Sequence, residues 1–176
     1  MLYAVIIITE ILFWTFLAGG LLVRYGLGRP RAGAVLIGLA ATTTLALLIA
    51  AAADLAGGAE AGLSHVIAAV AVAYTVVYAR HHLARADGFV LRRLGRAPAE
   101  QAAPRAPKAE RERGGWYRHA RMWAIGVALL GAGVLLAGGP DEAEALTGAA
   151  GLWTVVLAID FAIAFSYSLS PATRRR

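Results

Sequence analysis

The chain has 176 residues, of which 59% are hydrophobic, and its formal net charge is +6. Soluble domains average about 45–50% apolar residues, so this composition excludes a soluble globular protein and indicates an integral membrane protein. The chain contains no cysteine, which excludes disulfides, thiolate nucleophiles and cysteine-ligated metal centres.

Several apolar runs approach the length of about 20 residues that spans a bilayer. They cover about residues 2–23, 32–53, 64–79, 122–137 and 146–169. The first run has no basic segment before it and no cleavage motif after it, which is typical of a retained helix rather than a signal peptide. We therefore predict a single all-α domain, an integral membrane bundle of five transmembrane helices.

The charged residues divide between the two ends of this bundle. With five spans, all 17 Lys and Arg residues fall on one side, in segments 24–31, 80–121 and 174–176. The turns on the other side hold only acids: Asp54, Glu60, Asp141, Glu142 and Glu144. Because basic loops stay in the cytoplasm, we predict that the N-terminus lies outside and the C-terminus inside. This distribution explains the net charge without a nucleic-acid partner.

The long polar segment 86–117 has two predicted parts. Residues 87–96 place Arg92 and Arg93 against Phe89, a pattern that favours a short helix lying on an anionic leaflet. Residues 98–115 have almost no large apolar side chain and are expected to form a flexible linker. Arg80, His81 and His82 precede this segment, where they are expected to anchor the chain and to meet the headgroups of anionic lipids.

Polar residues within the spans are the candidates for function. At 1.5 Å per residue, Glu10 lies about 13 Å from the outer end of its span and Asp160 about 20 Å along the fifth. Tyr74 and the threonines 42–44 lie at similar depth. We predict that Glu10 and Asp160 meet and share a proton or a cation, with Tyr74 and Thr43 as donors.

The alternative is that each acid is protonated or bonded to a neighbour and only ties helices together. No Lys or Arg lies inside a span, which favours the protonated state of Asp160.

The outer turns offer a second candidate site. Asp54 and His65 flank one turn and are expected to pair at the membrane edge. The acids there are compatible with a divalent cation, but an ordinary acidic loop is the favoured explanation. The other histidines lie at the inner interface, His119 among them in an aromatic belt with Trp116 and Trp123. Because no two histidines face each other at one depth, no haem and no other cofactor is predicted.

Three stretches carry a resemblance to a known family: residues 8–14 (ITEILFW), 64–85 and 152–167. They are similar to a family of small bacterial integral membrane proteins, common in actinobacteria and Gram-positive bacteria and described only as uncharacterised. The shared motifs include Glu10, Asp54, His65, Asp87 and Asp160. The resemblance implies a multi-pass protein of the bacterial plasma membrane and brings no activity with it.

The favoured function is therefore transport or permeation through a midplane proton or cation site. The alternative is a non-catalytic accessory or scaffold protein whose basic segment binds anionic lipid or a partner. A lipid-headgroup enzyme using His81, His82 and Asp87 is a weaker option, since hydrolase motifs such as G-x-S-x-G are absent. Five short spans leave little room for a private pathway, so we expect a homo-oligomer or a membrane-protein partner.

Overall fold

In a computed structural model, the chain is a bundle of long helices. The structure describes residues 2–93, 95 and 107–169, and within these ranges it contains helices and turns but no strand. The helices are α1 (Leu2–Leu21, continued by a π-helical turn at Leu22–Gly26), α2 (Pro30–Ala56), α3 (Leu63–Arg93), α4 (Lys108–Leu136) and α5 (Glu144–Leu169). Each is long and apolar enough to cross a membrane, which confirms the predicted all-α fold with five spanning helices.

Two helices extend well beyond their predicted spans. α3 continues past residue 79 to Arg93, and α4 begins at Lys108 instead of near residue 122. Ala, Arg and Glu are good helix formers, and lengthening a helix is much easier than starting one. Residues 87–93 of the predicted surface helix are therefore the last turns of α3, and residues 108–115 of the predicted flexible linker are helical. Leu94 and residues 96–106 lie outside the described residues.

These extensions carry the bundle past the membrane on one side. α3 has 31 residues and α4 has 29, lengths of about 46 and 43 Å against a hydrocarbon core of about 30 Å. We call this side the basic end, because it carries the arginines of the α1–α2 turn, the end of α3 and the start of α4. The opposite side, the acidic end, consists of the α2–α3 and α4–α5 turns.

The helices pack as two pairs joined by α3. α1 packs mainly on α2 and α5 mainly on α4, while α3 contacts α2, α4 and α5. Small residues let the paired backbones approach closely. A side chain at Gly33 of α2 would come within 2.7 Å of the Gly20 carbonyl oxygen of α1, and one at Gly133 of α4 within 2.9 Å of Leu146 of α5.

The main apolar core lies near the acidic end and joins four helices. Leu55 of α2, Ala69 of α3, Leu130 of α4 and Leu146 of α5 are all buried in it. α1 is outside this cluster and rests against α2, so it does not close over α3. The result is a groove between α1 and α3 with α2 as its floor, and this groove contains the candidate site.

Candidate functional site

The larger part of the groove is a cavity of about 610 Å³ at the acidic end. It lies between α1, α2 and the start of α3, and the α2–α3 turn forms its rim. Its polar lining comprises Glu10, Asp54, Glu60, Ser64 and His65, and its apolar lining includes Ile6, Leu47, Leu63 and Ile67. Acids from α1, α2 and the turn therefore share one space with apolar walls.

A second cavity, of about 140 Å³, lies deeper in the same groove. Threonine and aromatic side chains line it: Thr9, Phe13, Thr43, Thr44, Tyr74 and Thr75. Glu10 and Leu47 line both cavities. The structure thus brings Glu10, Thr43 and Tyr74, three of the four residues of the predicted midplane site, around one cavity, and it places Glu10 where the two cavities meet.

Glu10 is only lightly held. The indole Nε1 of Trp14, one turn further along α1, donates a hydrogen bond to Glu10 Oε2 at 3.2 Å. This is the ordinary i to i+4 geometry of a helix surface. No other donor among the described residues contacts the carboxylate, and the residue is exposed in the groove. Glu10 therefore keeps free acceptor positions that a proton, a cation or a ligand can occupy.

Two threonine hydroxyls of the deeper cavity donate their protons to carbonyls of their own helix. Thr43 Oγ1 donates to the Ala40 carbonyl at 2.7 Å, and Thr44 Oγ1 donates to the Ala41 carbonyl at 2.8 Å. The Tyr74 hydroxyl lies 2.8 Å from His82 Nε2. A hydroxyl oxygen that donates its hydrogen retains its acceptor lone pairs, so this cavity presents oxygen acceptors below Glu10.

Stacked rings extend from this cavity toward the basic end. Tyr74, Tyr78 and His82 follow one another at i to i+4 spacing on α3, with ring centroids 5.1 and 5.8 Å apart along the series. The hydrogen bond between Tyr74 and His82 closes the same stack. His82 thus bonds to Tyr74, which lines the deeper cavity, in addition to the headgroup contact that the sequence predicts for it.

Asp54 and His65 lie together at the rim of the large cavity. His65 Nε2 is 3.4 Å from Asp54 Oδ2, while His65 Nδ1 accepts a hydrogen bond from the Gly62 backbone N–H at 3.1 Å. Because Nδ1 is an acceptor, the imidazole proton of the neutral ring is on Nε2. The approach to Asp54 does not meet hydrogen-bond geometry, and Nε2 is a buried atom without a hydrogen-bond partner in the described structure.

Asp160 has a different setting, in the interface between α4 and α5. His119 Nδ1 lies 3.0 Å from Asp160 Oδ2, and the indole Nε1 of Trp153 donates to His119 Nε2 at 3.0 Å. With Nε2 as the acceptor, the proton of the neutral imidazole is on Nδ1 and points at the carboxylate. The predicted pairing of Asp160 with Glu10 is not found, since each acid has its own partner in a different helix pair.

The partner of Asp160 also corrects the expectation that no basic group lies within its reach. The sequence places His119 in an interfacial belt ahead of the fourth span. Because α4 begins at Lys108, residue 119 is instead more than two turns inside the helix, on the face that packs against α5. Trp116 and Trp123 lie on the same face and donate to the Leu157 carbonyl at 3.3 Å and to Thr154 Oγ1 at 3.0 Å.

Asp87, a candidate for headgroup chemistry, is instead part of a tie between helices. The Arg24 guanidinium donates to both Asp87 carboxylate oxygens, at 2.8 and 2.7 Å, and the Tyr25 hydroxyl donates to Oδ1 at 2.6 Å. This bidentate arrangement joins the π-helical turn after α1 to the end of α3. Sequence reasoning missed it, although Asp87 is an isolated acid between two arginine clusters.

The remaining predicted residues lie at the basic end of α3. Arg80, His81, Arg92 and Arg93 all follow the groove along the helix. Arg93 lies over the Phe89 ring at 5.9 Å, and Arg85 and Arg118 are close enough to His81 to interact with it electrostatically. Positive groups from α3 and α4 therefore gather at this end.

The outer acids line a neighbouring cavity that shares Glu60 with the large cavity. Glu60, Asp141, Glu142 and Glu144 line a cavity of about 480 Å³ at the acidic end. Among the described residues, no three His, Asp or Glu side chains are arranged to hold a metal ion.

The five helices that are long and apolar enough to cross a membrane define the class of this protein: it is a multi-pass integral membrane protein. The chain is 33% identical over 169 residues to the uncharacterised membrane protein YmcC of Bacillus subtilis (strain 168), across 94% of this chain and 90% of that protein. The chain belongs to the family of that membrane protein, which confirms the resemblance to uncharacterised bacterial membrane proteins. No model of a known protein family matches it, and no solved structure does.

Proposed function

We propose that this membrane protein conducts protons or small cations along the groove between α1 and α3, with Glu10 as the binding group inside the membrane. One observation carries the proposal: Glu10 lines both the large cavity at the acidic end and the deeper cavity below it. Ionisable residues within membrane spans are rare and mark ion pathways and proton relays. Glu10 is positioned to receive a cation from one cavity and release it to the other.

The polar groups follow one another in the order in which a cation would meet them. Asp54 and Glu60 attract positive charge at the acidic end. Glu10 then offers a carboxylate bound by a single neutral donor. Below it, the hydroxyl oxygens of Thr43 and Tyr74 serve as acceptors, and the bond from Tyr74 to His82 leads toward the basic end.

Ion flux into proteoliposomes tests this function. The purified chain is reconstituted, a pH or K⁺ gradient is imposed, and internal pH and internal K⁺ are followed with trapped pH-sensitive and K⁺-sensitive dyes. We expect flux from the parent chain and none from Glu10→Gln, which keeps the shape and the bond from Trp14 but carries no negative charge and takes up no proton. Asp160→Asn is the matched control and retains flux. Absence of flux from the parent under either gradient would overturn the proposal.

An accessory role remains the second candidate, because positive groups gather where α3 and α4 project past the membrane. Arg85 and Arg118 both lie close enough to His81 to act on it electrostatically, and anionic lipid headgroups would offset the repulsion between these two arginines. Native mass spectrometry after mild extraction tests this role. We expect the parent to retain anionic lipid and the double variant Arg85→Gln, Arg118→Gln to lose it, whereas equal retention would exclude a lipid site at this cluster.

A further inference from the structure

We infer that the large cavity binds an amphipathic organic cation, an ammonium ion with an apolar body and a hydroxyl or ether oxygen near the charge. The inference goes beyond the proposed function, because it concerns a cation larger than the protons or small cations proposed for conduction, although both involve Glu10. It is based on the size of the cavity, its apolar walls, the carboxylates distributed around it and one buried donor that makes no hydrogen bond.

The size of the cavity suits an organic molecule. Pockets for small molecules commonly have volumes of about 300–1,000 Å³, and this cavity has about 610 Å³. Such sites combine apolar walls with a few convergent polar groups. Here Ile6, Leu47 and Ile67 supply apolar surface, and the open side of the groove between α1 and α3 lets an apolar tail reach the lipid.

The charge of the cavity selects a cation. Glu10, Asp54 and Glu60 line it from three separate elements, and none of its lining residues is Lys or Arg. A bare metal ion would need several oxygen ligands gathered at about 2.0–2.6 Å. The described residues contain no such group of three ligating side chains. An organic ammonium ion needs no tight ligand shell and is stabilised by carboxylates spread around it.

His65 adds a second, independent indication of a ligand. Its side chain is 5% exposed and lines the cavity. Its Nδ1 accepts from the Gly62 N–H, so its Nε2 carries a hydrogen. This buried donor makes no hydrogen bond in the described structure, although Asp54 Oδ2 lies 3.4 Å away. A protonated Nε2 cannot ligate a metal, but it can donate to an oxygen. A hydroxyl beside the ammonium group satisfies the donor while the charge lies against Asp54.

A matched pair of probes tests the inference. Dodecyl(2-hydroxyethyl)dimethylammonium and dodecyl(propyl)dimethylammonium have the same charge and similar size. They differ only in that a hydroxyl of the first replaces a methyl group of the second. Binding of each to the full chain in nanodiscs is measured by calorimetry, with empty nanodiscs subtracted to remove partitioning into lipid. We expect the hydroxyl probe to bind about threefold to tenfold more tightly, the value of one hydrogen bond.

Variants assign the binding to the cavity. We expect Glu10→Gln and Asp54→Asn each to weaken both probes, and His65→Phe to abolish the preference for the hydroxyl probe. Glu142→Gln, at the same end but in the neighbouring cavity, leaves binding unchanged. Circular dichroism of each variant confirms that the helices are intact. Binding no greater than in empty nanodiscs, or binding unaffected by Glu10→Gln and Asp54→Asn, would overturn the inference.

The outcome is separable from that of the proposed function. Proton or K⁺ flux is measured with no organic cation present. Flux that depends on Glu10 without probe binding would refute this inference and leave the conduction proposal intact. Probe binding that depends on Glu10 without any flux would refute conduction and leave the cavity as a binding site.

Discussion

The groove between α1 and α3 and the interface between α4 and α5 each hold one carboxylate inside an apolar helix, but they surround it differently. Glu10 receives one hydrogen bond, from Trp14 of its own helix, and borders two cavities. Asp160 receives a bond from His119 of the other helix, and that histidine is itself fixed by Trp153. Glu10 therefore keeps acceptor positions that a ligand can use, whereas Asp160 is hydrogen-bonded to a neighbouring helix.

This difference in surroundings suggests two different roles for a carboxyl group that is energetically unfavourable inside a membrane. A carboxylate held by a partner on another helix contributes to association of the two helices. A carboxylate held only within its own helix contributes nothing to helix packing, so its place in the membrane calls for another explanation. On this ground we propose a structural role for Asp160 and a binding role for Glu10.

Loss of His119 is expected to have the largest effect on stability. His119→Ala removes both interhelical bonds and leaves Asp160 and the Trp153 N–H unpaired, at a cost of about 2–3 kcal/mol. The free energy of unfolding in mixed micelles, titrated with sodium dodecyl sulfate, measures it. His82→Ala is the control, since among the described residues His82 hydrogen-bonds to Tyr74 of its own helix and to none on another helix. Equal losses in the two variants would contradict the assignment of Asp160 to helix packing.

A smaller loss is expected at Gly126, where α4 makes room for the Trp153 ring. A β-carbon at this position would overlap that ring, so Gly126→Ala displaces Trp153 from His119 and costs about 1–2 kcal/mol. Gly131→Ala, on the same helix with open space around it, is expected to be neutral or slightly stabilising. The same titration measures both, and a neutral Gly126→Ala would show that the Trp153 position is not fixed by α4.

Loss of the ion pair between Arg24 and Asp87 is expected to have the smallest effect on the free energy of unfolding. Its side chains are partly exposed, 19% and 27% respectively, so water weakens the pair. Asp87→Asn is expected to cost about 1 kcal/mol, with Asp141→Asn in the exposed α4–α5 turn as the neutral control. Ion flux from Asp87→Asn should match the parent. A complete loss of flux would instead place Asp87 in the conducting path.

Much of the fold follows from the sequence for simple reasons. The number of helices is predictable because apolar runs must match the bilayer thickness. Counting residues along each span also places Glu10, Thr43 and Tyr74 at one depth, and the structure groups them around one cavity. The proximity of Asp54 and His65 can also be predicted from the sequence, because one short turn joins their helices.

The rest depends on quantities that the sequence does not display. The true ends of α3 and α4 lie in polar residues, where apolar length no longer marks the helix. The partner of Asp160 depends on where α4 begins, since only a helix that begins near Lys108 places His119 inside the bundle. The absence of a bond between Glu10 and Asp160 reflects which helices are neighbours, and equal depth does not determine this.

Carbodiimide labelling compares the two acids most directly. Dicyclohexylcarbodiimide is an apolar reagent that modifies protonated carboxyl groups within membranes, and peptide mass spectrometry locates the product. We expect modification of Glu10 in the parent chain and none of Asp160, which becomes reactive in His119→Ala. Modification of Asp160 with Glu10 spared would contradict the central claim that Glu10 is the available acid and Asp160 the engaged one.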